Sequence, residues 1–285
     1  MCDCLVALAS ATGTTLFAKN SDRPPTEDQN VERFRSRRDE RVTGTTYIEV
    51  EAHRDPTIPF VGSRPTWMYG VEHGVNAAGV AAGNATIYTK LDPRGFPDAL
   101  TGMDIVRLVL ERSATAAAAV ELVGVLLERY GQGGSGHDRE NRPYWNSFVV
   151  ADPREAFVIE TSGDEFAVEA VKRTWATSNR TTIPAFDAAQ RHPRQPVERL
   201  VDGRLAASEA VLAREPVTVD SLMAHLRSHV GGEDGYTICM HAGADEATRG
   251  SMIAELPVGA SPRGWFLIGS PCVSEYAGIE LSHLD

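Results

Sequence analysis

The chain opens inside a strand. Cys2-Asp3-Cys4 leads directly into the apolar run Leu5-Val6-Ala7-Leu8-Ala9, so that residues 4–9 read as a buried strand. Thr12-Gly13 reads as a turn, and Thr15-Leu16-Phe17-Ala18 returns as a second strand. A hairpin of that length carries the polar cluster Lys19-Asn20-Ser21-Asp22-Arg23-Pro24-Pro25 back beside Cys2. Once Met1 is removed, which the small cysteine side chain permits, Cys2 carries both a thiol and a free α-amine. The amine has a pKa of about 7.7–8.0 against roughly 8.5 for the thiol, so near neutral pH it can accept the thiol proton. Nucleophile and base then come from one residue. In that frame Asp22 anchors the α-amine, while Lys19, Asn20 or Arg23 supplies positive charge or hydrogen bonds near the thiol. The plainer alternative is a solvated loop closed by its prolines.

The same residues carry a family resemblance. Cys2-Asp3-Cys4-Leu5-Val6-Ala7-Leu8 followed by Ala18-Lys19-Asn20-Ser21-Asp22-Arg23-Pro24 resembles the secernin and C69 dipeptidase family of N-terminal-nucleophile hydrolases. Further blocks follow in order: Ser63-Arg64-Pro65-Thr66-Trp67-Met68-Tyr69-Gly70, Gly74-Val75-Asn76, Gly79-Val80, Gly83-Asn84 and Gly102-Met103-Asp104. Then come the stretches 127–134 and 147–153, Ser178-Asn179, Ile238-Cys239-Met240-His241-Ala242, 250–256 and Gly269-Ser270-Pro271-Cys272. The resemblance implies a cysteine enzyme that cleaves a dipeptide or similar small amide, needs no cofactor, and has a mild tendency to homo-oligomerise.

Composition narrows the partners. At 285 residues the chain is long enough for one sizeable core, and one domain over 1–285 is expected. The net charge of −11 argues against nucleic acid or an anionic membrane as the main partner. No apolar segment reaches the roughly 20 residues of a membrane span, and the N-terminus lacks a secretory h-region. Four scattered cysteines suit reduced thiols and a cytoplasmic location. Cys2-x-Cys4 offers only two ligands, and no motif has zinc-ligand spacing, so no metal is expected. Alternation sends Cys2 and Cys4 to one face, which makes Cys4 a core thiol near the site.

The order of elements is strands, helices, then strands and helices again. Strands are expected at 45–51, 75–82, 146–151, 155–161, 165–171, 174–178 and near 236–241, 250–256 and 264–269. Helices are expected at 102–112, 115–130, 197–214 and 218–229, with Gly131 ending the second. The segments 131–136 and 184–196 read as loops. Two sheets between helix layers suit this order, and the resemblance implies an α+β fold, the four-layer αββα sandwich of N-terminal-nucleophile hydrolases.

Chemistry can then be placed. Attack of Cys2 on an amide creates an oxyanion, which needs neutral donors already in position. Asn84 and Asn179 each end a probable strand. Related bile-salt and penicillin-type hydrolases have asparagines in corresponding places, which implies Asn84 as oxyanion donor and Asn179 as a donor or substrate-orienting residue. Lys19 takes a place those relatives fill with arginine and would favour the thiolate. Arg64 is a candidate for a substrate carboxylate or for pairing with an acidic residue. Arg199 or Arg204 supplies a further guanidinium. His241, beside Cys239, reads as a structural histidine. Where the family has acidic residues after Gly-Asn and Val-Asn, this chain has Ala85 and Ala77, and it ends sooner after Cys272 than many relatives do. Three functional readings stay open: a hydrolase, an acyltransferase on the same scaffold, and a non-catalytic binding protein.

Overall fold

The structure is a computed structural model, and it describes residues 1–9 and 13–283. The expected turn at Thr12 lies outside the described residues. The strands run β1 (Cys2–Ala7), β2 (Thr15–Arg23), β3 (Gln29–Phe34), β4 (Val42–Gly44), β5 (Glu49–Glu51), β6 (Phe60–Pro65), β7 (His73–Asn76) and β8 (Ala81–Ile87). They continue as β9 (Trp145–Ala151), β10 (Ala156–Ser162), β11 (Glu165–Ala170), β12 (Thr174–Thr177), β13 (His241–Ala242), β14 (Glu246–Leu256), β15 (Arg263–Ile268) and β16 (Ala277–Glu280). The helices are α1 (Gly102–Arg112), α2 (Ala116–Tyr130), α3 (Pro184–Gln190), α4 (Val197–Leu200), α5 (Asp202–Leu212) and α6 (Val219–Leu226).

Two antiparallel sheets stack face to face. The first has the order β12-β1-β2-β14-β15-β16, with β13 added to β14; the second runs β11-β10-β9-β8-β7-β6-β3. Cys4, Val6, Phe17, Val75, Val149, Met252 and Phe266 fill the space between them. The outer face of the second sheet buries Ala82, Phe148 and Val150 against Ile105, Val109 and Val123 of α1 and α2. The outer face of the first buries Leu5, Leu16, Ala18 and Ile253 against Leu212, Leu222 and Leu226 of α5 and α6. The layer order is therefore αββα, as expected.

Alternation explains why β1 and β2 lack a polar face. On β1, Cys4 and Val6 enter the space between sheets while Leu5 and Ala7 meet the helices. On β2, Phe17 points between the sheets, and Leu16 and Ala18 point to the helices. The nine residues of β2 are all buried, including the whole polar cluster Lys19–Arg23. That cluster is the strand's continuation and not a solvated loop.

Several elements differ from the sequence reading. Of residues 45–51 only 49–51 are strand, as β5, which pairs with β4 in a small hairpin whose turn is Thr45–Ile48. The stretch 75–82 breaks at Gly79, whose φ of 92° makes the turn between β7 and β8. The expected helix 197–214 is interrupted at Val201, where φ/ψ of −129°/−51° separates α4 from α5, and 218–229 is helical only over α6. Most of 236–241 is irregular, with strand structure confined to β13. The loop 184–196 contains α3, begun by a proline at its first position. β3, β6 and β16 were not foreseen. Among the described residues no helix is long and apolar enough to cross a membrane.

Candidate active site

Cys2 begins β1, paired with Ser21 on β2, at one end of the sandwich. It lines a cavity of about 500 Å³ with Met1, Asp22, Arg23, Glu72, Asn84, Tyr88, Arg142, Tyr144, Trp145 and Glu246 among the other walls. The Cys2 backbone nitrogen donates to Asn179 Oδ1 at 3.0 Å. Asn179, just past β12, is held in turn by Arg204, whose NH2 donates to the same oxygen at 2.8 Å, and by its own amide bond to Thr86 O. Asn179 thus grips the nitrogen that becomes the α-amine when Met1 leaves.

The thiol lies among buried charges. Cys2 Sγ is 4.0 Å from Glu72 Oε2, and Lys19 Nζ donates to that same oxygen at 3.0 Å. Arg23 NH1 sits 3.3 Å from Glu72 Oε1. Burial alone would raise the Glu72 carboxyl, but Lys19 and Arg23 outweigh it and bring its pKa down to about 2. Burial pushes the Cys2 thiol up; Lys19 pulls it down, while Glu72 pushes it up again. Lys19 does stand beside the thiol, as expected, but Glu72 takes most of its charge. On balance the thiol pKa is raised, with burial the largest cause.

Asp22 lines the cavity, and its backbone groups are bonded to those of Met1. Its N–H donates to Met1 O at 2.8 Å, and its carbonyl accepts from the Met1 ammonium at 2.9 Å. The carboxylate accepts from Thr248 Oγ1 at 2.7 Å, while Oδ2 is buried without a hydrogen bond, 4.0 Å from Arg204. Burial raises its pKa, the nearby ammonium opposes this, and Asp3 adds to it. The Met1 ammonium also reaches Glu246 Oε2 at 3.2 Å.

Other expected residues have different jobs. Asn20 does not face the cavity: it shares the helix-side parity of Leu16 and Ala18, and its amide is spent on Leu226 O, Ile238 O and the hydroxyl of Ser251. Arg23 lines the cavity, but its guanidinium is committed to Glu27 at 2.6 Å through two nitrogens and to Gly136 O at 2.6 Å. It braces the wall instead of offering donors to substrate. Arg64 pairs with Glu32 at 2.7 Å and with the carbonyls of Thr66 and Met68, off the cavity. Between the two candidate arginines the fold chooses Arg204, fully buried on α5 and bonded to Asp3 at 2.6 Å, while Arg199 is exposed. Arg204 positions Asn179 and Asp3 and does not line the cavity.

Asn84 lines the cavity with its amide tied into a relay. Its Nδ2 donates to Asn146 Oδ1 at 2.8 Å, Asn146 Nδ2 donates to Gln132 Oε1 at 2.6 Å, and Gln132 Nε2 donates to Thr161 Oγ1 at 3.2 Å. In this sense Asn84 Oδ1 is buried without a partner, so the expected oxyanion donor is turned away. Oxygen and nitrogen of an amide exchange places by a simple flip. Flipping all three amides reverses each link of the relay and frees an Asn84 N–H, at the loss of the 3.3 Å bond from Asn146 to Tyr144 O and of the 3.0 Å bond from Thr161 Oγ1 to Asn146 O, because that hydroxyl's one proton then goes to Gln132.

Glu72, Tyr144, Asn146, Thr248 and Glu246 were not singled out from the sequence. Glu72 sits between two motif blocks, 63–70 and 74–76, which is the signal that was available. Neither Ala77 nor Ala85 lines the cavity; its carboxylates are Asp22, Glu72, Asp92 and, from β14, Glu246.

No family model matches the chain. Solved structures do resemble it. The Cys-to-Ala mutant of a conjugated bile acid hydrolase from Clostridium perfringens matches with a TM-score of 0.61 at 13% identity, covering 100% of this chain and 94% of that one. A penicillin V acylase from Agrobacterium tumefaciens gives a TM-score of 0.61 at 14% identity, over 99% and 86%. An N-acylethanolamine-hydrolyzing acid amidase ortholog from Caenorhabditis elegans gives 0.54 at 14%, over 88% and 91%. At these identities the likeness establishes a shared fold.

Proposed function

We propose that this protein is a cysteine amidohydrolase activated by removal of Met1, and that it cleaves small amides whose acyl group carries a free amine, dipeptides being the simplest. The observation that carries the reading is that Cys2 presents nitrogen and sulfur together at a cavity wall, with the partner of that nitrogen, Asn179, already in place at 3.0 Å. The resemblance in sequence and the shared fold support the same reaction class.

Removal of Met1 leaves an α-amine beside Asn179 Oδ1, at a cavity that Asp22, whose Oδ2 has no hydrogen bond, also lines. That amine takes the thiol proton, directly or through a water. The thiolate attacks the substrate carbonyl, and the oxyanion is met by Asn84 in its flipped sense. The ammonium returns its proton to the leaving amine, and water then resolves the thioester. The substrate preference rests on Glu246. Its carboxylate and Asp22 O hold the ammonium of Met1, which is itself an aminoacyl group on Cys2. Once Met1 departs, the same two acceptors suit the ammonium of a substrate, and Arg142, 3.7 Å from Glu246, suits a carboxylate farther along.

An acyltransferase is the second reading, favoured by one feature. A cavity of about 700 Å³ adjoins the first and shares Met1, Tyr88, Arg142 and Glu246 with it, giving room for an acceptor amine.

The test is the intact mass of purified protein before and after a thiol-directed amide or ester probe. Loss of Met1 with labelling at Cys2, abolished by Cys2→Ala, is the expected result. Retained Met1, or labelling only at Cys4, Cys239 or Cys272, overturns it. Product analysis with added amines separates hydrolysis from transfer. Glu246→Gln should raise KM for dipeptides while leaving their N-acetylated forms unaffected.

A further inference from the structure

Away from the cavity, four side chains with metal-binding atoms converge. His229, Cys239, His241 and Cys272 place one ligand atom each within 4.8 Å of all the others. His241 Nε2 lies 3.5 Å from Cys239 Sγ and 3.2 Å from Cys272 Sγ, between the two sulfurs. The ring of His229 packs edge-on against that of His241, with centroids 5.1 Å apart. Tetrahedral zinc has Zn–S bonds of about 2.3 Å and Zn–N bonds of about 2.0–2.1 Å, so the edges of such a tetrahedron measure roughly 3.3–3.8 Å. The observed separations match those edges or need only a small contraction. Two thiolates also balance the charge of a divalent ion, and a thiolate–imidazole set selects zinc over magnesium or calcium.

We propose that these four residues form a structural Cys2His2 zinc site. The linear sequence concealed it. Cys239-x-His241 puts two ligands on one face of the chain, but His229 lies before an irregular segment and Cys272 more than 30 residues after the pair. The backbone brings them together independently of any ion. Cys239 N donates to Ser228 O at 2.8 Å and Ile238 N to Val230 O at 3.1 Å, which sets His229 opposite Cys239. Gly269 N donates to Arg249 O at 2.8 Å, and Ser270 Oγ to Thr248 O at 3.1 Å, which fixes the approach of Cys272 to β14. Cys239 is buried while His229 and His241 are exposed, so an ion can enter from solvent. On binding, the two thiols give up their protons and the two imidazoles coordinate as neutral ligands.

The site has a structural consequence for Cys2. Met240, held between two ligands, donates its N–H to Thr248 Oγ1 at 2.8 Å, and that hydroxyl donates to Asp22 Oδ1 at 2.7 Å. Zinc would clamp the segment that orients Asp22 from behind. It touches no substrate.

The experiment uses the full chain, purified in reducing buffer, supplied with zinc and dialysed against metal-free buffer, with bound metal measured by elemental mass spectrometry. One zinc per chain is expected, released when the thiols are modified. Replacement by cobalt should give the intense visible bands of a tetrahedral centre together with thiolate-to-cobalt charge transfer. Cys272→Ser and His229→Ala should lose the metal while keeping the circular dichroism of the parent. No zinc retained by the parent, octahedral cobalt bands, or full loading in both variants would overturn the proposal. So would a mass two hydrogens low from a Cys239–Cys272 disulfide in that buffer. The cobalt spectrum is read on the unaltered chain, so a variant that misfolds leaves the result decisive.

Discussion

Replacing Glu72 by glutamine removes a charge from behind Cys2 while nearly keeping its shape. Glu72 Oε2 stands 4.0 Å from Cys2 Sγ. At an effective dielectric of about 20, a unit charge at that separation is worth about 4 kcal/mol, or roughly a thousandfold in thiol acidity. The carboxylate opposes the thiolate, and with it gone Lys19 and Arg23 are no longer neutralised, so both effects lower the thiol pKa. The same change weakens the fold. The Glu72 pKa moves from 4.5 to about 2 on folding, which by linkage contributes about 3 kcal/mol. Because the folded value is depressed, that stability is fully present above pH 4.5 and is lost as pH falls through about 2. Glu72→Gln should therefore be less stable than the parent at pH 7, with the difference closing toward pH 2. The assay pairs iodoacetamide alkylation of Cys2 against pH, resolved by peptide mass, with urea unfolding at pH 7 and pH 3. An alkylation midpoint that stays put or rises, or a stability gap that ignores pH, would refute the electrostatic account of this wall.

Arg204→Met leaves Asp3 buried without its 2.6 Å partner, and urea unfolding should show a loss of about 3–5 kcal/mol. Thr248→Val strips an acceptor from Met240 N–H and a donor from Asp22 Oδ1, costing about 1–3 kcal/mol. Since that hydroxyl holds the Asp22 pKa down against burial, its loss raises the pKa further. A raised folded pKa means that stability declines as pH climbs above the ordinary aspartate range, and a pH series of melts should show a steeper decline in the variant. Gly102→Ala drives a Cβ into Asn146 Oδ1 and breaks the amide relay behind Asn84. With a dipeptide substrate, kcat should fall on the order of a hundredfold; an unchanged kcat would remove Asn84 from the oxyanion role.

How much was legible varies with the kind of information each residue needed. The α1 and α2 helices were readable because local rules mark them: apolar faces at helical spacing, and Gly131 at the end of the second. The 197–214 helix was over-extended because its periodicity continues through Val201, where only packing breaks the backbone. Cys2, Lys19, Asp22, Asn84 and Asn179 stand out because sequence blocks surround them; the fold puts Cys2, Asp22 and Asn84 on one cavity wall, with Lys19 bonded to Glu72 and Asn179 to Cys2. Asn20 and Arg23 were assigned to substrate on proximity along the chain, and proximity does not say which way a strand residue points or whether its donors are already spent. Arg64 illustrates the second point: its guanidinium meets Glu32, which lies diagonally across on β3, opposite Gly62.

By itself the sequence determined that a short apolar hairpin begins the chain, that a thiol stands at its second residue, and that a polar cluster returns beside it. Those are consequences of strand alternation and of turn length, both local. Only the tertiary structure decided the electrostatic state of the thiol. Lys19 and Arg23 come from β2 of one sheet and Glu72 from the residue just before β7 of the other, and their mutual distances in a dry interior set the sign and size of each interaction. The same holds for Glu246 against the Met1 ammonium and for the four ligands around His241. Charge and coordination depend on separations of a few ångströms between residues far apart in the chain, and no spacing along it encodes them.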